Sequence, residues 1–240
     1  MSREILKLVQ KIDSSTVDLQ MVLQCAPVLA GLKVSNMLSI SRAFYPCILE
    51  VLKQTDISCY LLRQTDEKVI LLLYKEQELQ QQLLEADTRA FLKFYGYTQF
   101  AVEDVLDLFK KRYCDNLCAT KDFPHEMGVL LGYPLEDVKG FINNRGRNFL
   151  YTGYWKVYSD LQQKMDLFGR FEQAKEQMIR LLSYGMDIQE IIMMFHYEEL
   201  RDNLYFLINA PEVMALAFPS LVMAMSSSFC FSGIRKRVSE

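Results

Sequence analysis

The order of apolar and polar positions predicts helices first, then strands, then helices again. Ile5, Leu6, Leu8, Val9 and Ile12 recur at helical spacing, the mark of an amphipathic helix. Ser15, with Asp18 three residues on, resembles a capping box, and the helix it opens should close near Pro27 and Gly31. Another apolar stretch runs from Phe44 to Leu52. Two short apolar runs follow, at 57–62 and 68–74, separated by the polar segment 63–67; a hairpin is the simplest reading. The run from Val69 to Leu73 is continuous rather than alternating. That suits a strand buried on both faces, although periodicity alone leaves a helix open there.

Residues 76–94 are rich in Gln, Glu and Leu and read as helix up to Gly96, and 101–113 read as another, with Val102, Val105, Leu106, Leu108 and Phe109 apolar. Asp122 is placed to cap a short helix that carries Pro124 in its first turn and ends at Gly132. Pro134 starts the next, with Glu136 and Asp137 where the helix dipole favours carboxylates. Residues 143–148 are a turn, and 149–158 are aromatic and β-branched enough to form a third strand. Ser159 is placed to cap a long helix through Leu161, Met165, Phe168, Phe171, Met178 and Leu182, closed by Gly185. Asp187 and Glu190 repeat the capping-box pattern. The expected fold is α+β: a small, mostly antiparallel sheet of about three strands, shared by the hairpin and 149–158, covered by about seven or eight helices. Residues 1–200 are expected to form a single α+β domain and 201–240 an apolar C-terminal extension.

Composition narrows the setting. Half of the 240 residues are hydrophobic and 24% are charged, so the chain can bury a core. A net charge of −3 gives no support to nucleic-acid binding, which needs a clustered positive field. The six cysteines follow an N-terminus with no uninterrupted apolar run, and a chain of this size needs no staples, so they read as reduced thiols of a cytoplasmic protein. The segment 213–234 carries no charge and is followed by Arg235, Lys236 and Arg237. Its length suits a membrane span. Pro219, Gly233 and the run Ser226, Ser227 and Ser228 count against one, and the basic cluster would place the main domain outside, against the reduced thiols. Membrane contact through 213–234 is therefore not the favoured reading; a buried or extended tail is.

Two blocks concentrate the rarer residues: Phe123 to Pro134, with one of the two histidines, and Gly153 to Tyr158, with the only tryptophan. His125 beside Glu126 is the sharpest catalytic candidate, since imidazole and carboxylate exchange protons near neutral pH. Neighbouring helical residues point about 100° apart, so the plainer reading is a packed His125 and a Glu126 placed by the helix dipole. Cys25 is a candidate nucleophile if Lys33 lowers its pKa; a small buried residue is the plainer reading. Cys114, Cys118 and His125 lack a fourth ligand for a structural metal site, and no metal is expected. Arg145, Arg147 and Lys156 surround a turn that could hold an anion through bidentate contacts, or simply be solvated. Strand alternation puts Tyr154, Lys156 and Tyr158 on one face and Trp155 with Val157 on the other, so the first three could border a ligand cavity.

The stretches Cys25-Ala26-Pro27-Val28-Leu29-Ala30-Gly31-Leu32-Lys33, Phe123 to Glu126, Gly132 to Ile142 and Gly153 to Tyr158 occur in an order and spacing that resembles the bacterial domain-of-unknown-function family 3793. The resemblance covers roughly 21–184. It implies a bacterial, cytoplasmic setting and supplies no mechanism. Family members often carry His where this chain has Gln24, and cysteine near the Gly-x-Trp-Lys segment where it has Tyr151 and Tyr154. A metal or thiol site that needed those groups would be lost here.

Three functions follow as expectations. The first is a module binding a small anionic ligand or cofactor through Lys33, His125, Arg145, Lys156 and Tyr158, with Arg147 and Tyr154 beside them; the identity of any cofactor is left open. The second is an enzyme with Cys25 as nucleophile and His125 as base, which needs the two within hydrogen-bond reach or one water apart. The third is a non-catalytic protein whose apolar tail meets a partner or a membrane.

Overall fold

The computed structural model describes residues 1–12, 16–118 and 124–196, of which 115–118 by their backbone alone. The expected caps at Ser15 and Asp122, Phe123 and the whole of the apolar tail lie outside the described residues. The elements run in the order α1 (Arg3–Lys11), α2 (Val17–Leu29), β1 (Ser35–Ser41), α3 (Tyr45–Leu52), β2 (Ile57–Gln64), β3 (Lys68–Lys75), α4 (Glu76–Leu84), α5 (Ala86–Phe94) and α6 (Val102–Cys118). Then come α7 (Met127–Leu130), α8 (Leu135–Asn143), β4 (Tyr151–Thr152), β5 (Lys156–Val157), α9 (Leu161–Ser183) and α10 (Ile188–His196), and the fold class is α+β.

The main sheet has the order β1-β3-β2, antiparallel throughout. The central place of β3 explains its unbroken apolar run. By strand alternation Val69, Leu71 and Leu73 face one side and Ile70, Leu72 and Tyr74 the other. Leu72 lies in the cluster with Leu79, Leu83, Leu92, Leu106 and Phe109 of α4, α5 and α6, and Ile70 and Tyr74 pack against it. α2 lies against β1 and β3 and also packs on α9. Eight of its residues are buried, from Leu19 to Leu29, as expected of a helix covered on several sides. Its Pro27 sits inside the helix at the cost of one backbone donor, and the chain leaves α2 at Gly31, whose φ of 66° favours glycine.

Two expectations about strands are corrected. The third strand of the sheet is β1, whose Ser-Asn-Met-Leu-Ser-Ile-Ser sequence carries too many hydroxyls to read as a strand. The segment 149–158 does not join that sheet: it folds on itself as the β4-β5 hairpin. Its apolar residues find cover in α9 instead, where Trp155 and Val157 cluster with Phe168 and Phe171. Ser159 does not cap α9; Asp160, in the left-handed region at φ 47°, holds that position. The Asp187–Glu190 box forms as expected, with Glu190 N donating to Asp187 Oδ1 at 2.8 Å and Asp187 N to Glu190 Oε2 at 3.3 Å. Among the described residues, no helix is long and apolar enough to cross a membrane.

Candidate functional site

The two sequence blocks meet through one side chain. Asp137, in the first turn of α8, is 2% exposed. Its Oδ2 accepts the indole N–H of Trp155 at 2.8 Å, and its Oδ1 accepts the backbone N–H groups of Tyr158 at 2.7 Å and Ser159 at 3.3 Å. A buried carboxylate with both oxygens engaged clamps the hairpin onto α8. The approach is closer still at Gly140, where an added Cβ would lie 2.5 Å from Tyr158 Cγ, and at Gly153, where it would lie 2.5 Å from Phe168 Cδ2. Both glycines leave room for an aromatic ring.

Between the clamped elements lies a cavity of about 290 Å3, lined by His125, Met127, Gly128, Leu131, Tyr133, Asp137, Val138, Phe141, Trp155 and Lys156. Tyr133 stacks on Trp155 with ring centroids 5.0 Å apart. The His125 ring lies 5.8 Å from Phe141 and makes no hydrogen bond with a described residue. Lys156 Nζ donates to Gly146 O at 2.7 Å and stands 4.9 Å from the centre of Phe149 and 5.6 Å from that of Phe141. One of its three N–H groups is thus spent on the turn. Lys156 and His125 are thus two polar groups with unspent capacity on a largely apolar wall.

The other sequence candidates lie elsewhere. Glu126 does not line the cavity: it is fully buried, with Oε1 accepting from Arg112 Nε and, at 3.5 Å, from Tyr97 OH. Burial and that carboxylate push the Tyr97 phenol up. Cys25 is buried in the core, its thiol donating to Met37 O at 3.7 Å. Burial pushes that thiol well above its usual range, and the opposing effect of Lys33 is smaller. Cys25 does not line the cavity and shares no hydrogen bond with His125, and a sealed, protonated thiol is a poor nucleophile. Arg145 and Arg147 are exposed on the turn, with Arg145 in the left-handed region at φ 51°, and neither lines the cavity. Tyr154 turns to α9, where its hydroxyl donates to Glu172 Oε1 at 2.8 Å and accepts from Lys175 at 3.2 Å. Tyr158 supplies its backbone to Asp137 and its ring to Gly140, and its hydroxyl has no partner among the described residues. Lys33 lines a neighbouring cavity that also has Trp155 in its wall.

Asp137, Tyr133, Val138 and Phe141 were not singled out as site residues in the sequence. Asp137 reads as an ordinary first-turn carboxylate; its place between Tyr133 and Phe141, four residues from each inside a dense motif, is the available signal. Gln24 has a role of its own. Its amide pairs with β1 as a strand would, accepting from Ser39 N at 3.0 Å and donating to Ser39 O at 3.1 Å, which satisfies part of an exposed sheet edge.

The fold and the cavity define a helix-rich α+β protein in which the two blocks of rarer residues close around one largely apolar space. The family model described as Protein of unknown function (DUF3793) matches residues 21–192, and the chain belongs to that family. Searches of curated proteins and of solved structures found no match.

Proposed function

We propose that the protein is a module that binds a small, flat apolar molecule carrying one anionic group, held in the cavity between α7, α8 and the β4-β5 hairpin. The observation that carries this reading is the convergence of His125 and Lys156, distant in sequence, on one apolar cavity of about 290 Å3. That is near the lower end of the range for small-molecule sites, roughly 300–1,000 Å3. The rings of Tyr133, Phe141 and Trp155 suit a planar body, and the Lys156 ammonium suits a carboxylate or sulfonate. The Asp137 carboxylate fixes the wall rather than meeting the ligand, because both its oxygens are engaged. The free thiols of Cys25, Cys47, Cys59 and Cys114 fit a reducing, cytoplasmic setting, and the family resemblance fits a bacterial one.

Native mass spectrometry of the purified chain, against its denatured mass, tests the reading. A reproducible noncovalent adduct lost in Lys156→Met is the expected result. The single Trp155 provides a second readout, with a saturable fluorescence response to benzoate or 2-naphthoate that weakens about tenfold in the same variant, since losing a charged hydrogen bond costs roughly 1.5–3 kcal/mol. An adduct retained by Lys156→Met, or no adduct together with a response that never saturates, overturns it.

A further inference from the structure

Lys33, on the link between α2 and β1, stands apart from the other enclosed lysines. Lys75 is paired with Asp56 at 3.2 Å and Glu78 at 2.7 Å, and Lys164 with Glu136 at 2.8 Å. Lys33 is 8% exposed, yet its ammonium makes no hydrogen bond or ion pair with any described residue. Its nearest favourable partner is the face of Tyr133, 5.0 Å from Nζ. It lines a second cavity, of about 200 Å3, with Gly31, Gly132, Trp155, Leu167 and Phe171. Lys75 and Glu78 also border this space, but they pair with each other, and among the described residues neither makes an ion pair with Lys33.

A buried ammonium with no counter-ion favours its neutral form. Burial lowers the Lys33 pKa from 10.5 to about 8. Roughly a tenth of the molecules then carry the free amine at pH 7, against roughly one in several thousand for an ordinary lysine. A desolvated free amine at the wall of a partly open cavity is the arrangement by which lysine attacks carbonyl carbon.

We infer that Lys33 is a reactive amine that captures a small aldehyde or ketone as an imine in this second cavity. The Nζ lone pair attacks the carbonyl carbon, and the C=O π pair moves to oxygen, which takes up a proton. The carbinolamine so formed loses its oxygen as water. Amine and carbonyl compound thus give imine and water, with no oxidant or reductant needed. A neutral imine also relieves the unpaired charge, whereas a bound anion would keep Lys33 protonated. Trp155, Leu167 and Phe171 fit an apolar substituent on the carbonyl compound. This site is separate from the one proposed above, although Trp155 borders both.

Reductive trapping tests it on the full chain. The folded protein is incubated at pH 7 with butanal and sodium cyanoborohydride, and the alkylated lysines are mapped by peptide mass spectrometry. Lys33 is expected to be alkylated at least tenfold faster than the exposed Lys53, with a rate that climbs as pH approaches 8. Lys33→Arg removes that product and the accompanying change in Trp155 fluorescence. Lys156→Met leaves Lys33 labelling intact, which keeps this result independent of the first cavity. Alkylation of Lys33 no faster than that of Lys53 overturns the proposal, whether an anion holds the amine protonated or the cavity excludes the aldehyde.

Discussion

Asp137 shows how much a single side chain contributes at this site. It offers two acceptor oxygens to three buried or partly buried N–H donors, one from the Trp155 indole and two from the backbone after β5. Asp137→Ala leaves those donors without a partner in a place water does not readily reach. The expected loss is about 3 kcal/mol, from the cost of unpaired buried donors and of charged hydrogen bonds. Asp137→Asn keeps one good acceptor and should lose less. Urea unfolding measures both, and a loss below about 1 kcal/mol for Asp137→Ala, the range of ordinary substitutions, would show that the clamp is dispensable. Gln24 and Tyr154 also find their explanation at this scale. Each has satisfied structural partners, Gln24 on Ser39 and Tyr154 on Glu172 and Lys175.

Among the elements, the start of α7 is tied to α6 by the pair of Arg112 and Glu126. Arg112 also donates to Tyr95 O at 3.1 Å, so one guanidinium joins α6, the end of α5 and the approach to α7. The Glu126 side chain is fully buried while that of Arg112 is 35% exposed, and Glu126 Oε2 has no partner among the described residues. Removing the cation therefore strands a buried carboxylate. Arg112→Met should cost about 3 kcal/mol, the low end of the range for breaking a buried pair because the guanidinium is partly solvated. Adding Glu126→Gln should recover part of the loss. A double-mutant cycle by chemical denaturation checks this, and additive losses would mean the pair does not couple. The hairpin teaches the complementary lesson. Its alternation correctly placed Trp155 and Val157 on the buried side, but alternation does not name the element that covers them.

At the scale of the whole molecule, Lys33 makes stability depend on pH. Its folded pKa of about 8 lies below the 10.5 of an ordinary lysine, so between those values the unfolded chain binds more protons. Stability therefore rises with pH in that window, and below pH 8 the protein carries the full burden of the buried charge, about 3 kcal/mol for a depression of this size. Cys25 acts in the opposite sense: its folded pKa is raised above 9.0, so stability falls as the unfolded chain ionises above that pH. The rise due to Lys33 should show most clearly between pH 8 and 9. Lys33→Met is expected to stabilise the chain at pH 7 and to lose that advantage by pH 10. Thermal unfolding across this range reads it out, and a pH-independent difference between the two chains would refute it.

Local pattern alone was enough for the α+β class, the β2-β3 hairpin with its doubly buried second strand and the capping box before α10. These depend on periodicity and on residues near one another in the chain, where sequence spacing fixes spatial neighbours. It also named His125 and Lys156, because rare residues clustered in short motifs. Tertiary structure decided the rest. β1 forms because the edge of β3 and the amide of Gln24 supply its hydrogen-bond partners, not because Ser-Asn-Met-Leu-Ser-Ile-Ser favours a strand. Cys25 and Glu126 are drawn into the core, Arg145 and Arg147 stay in solvent, and Asp137 becomes the clamp of the site. Burial and pairing across long separations set these outcomes, and neither is encoded in the spacing of residues along the chain.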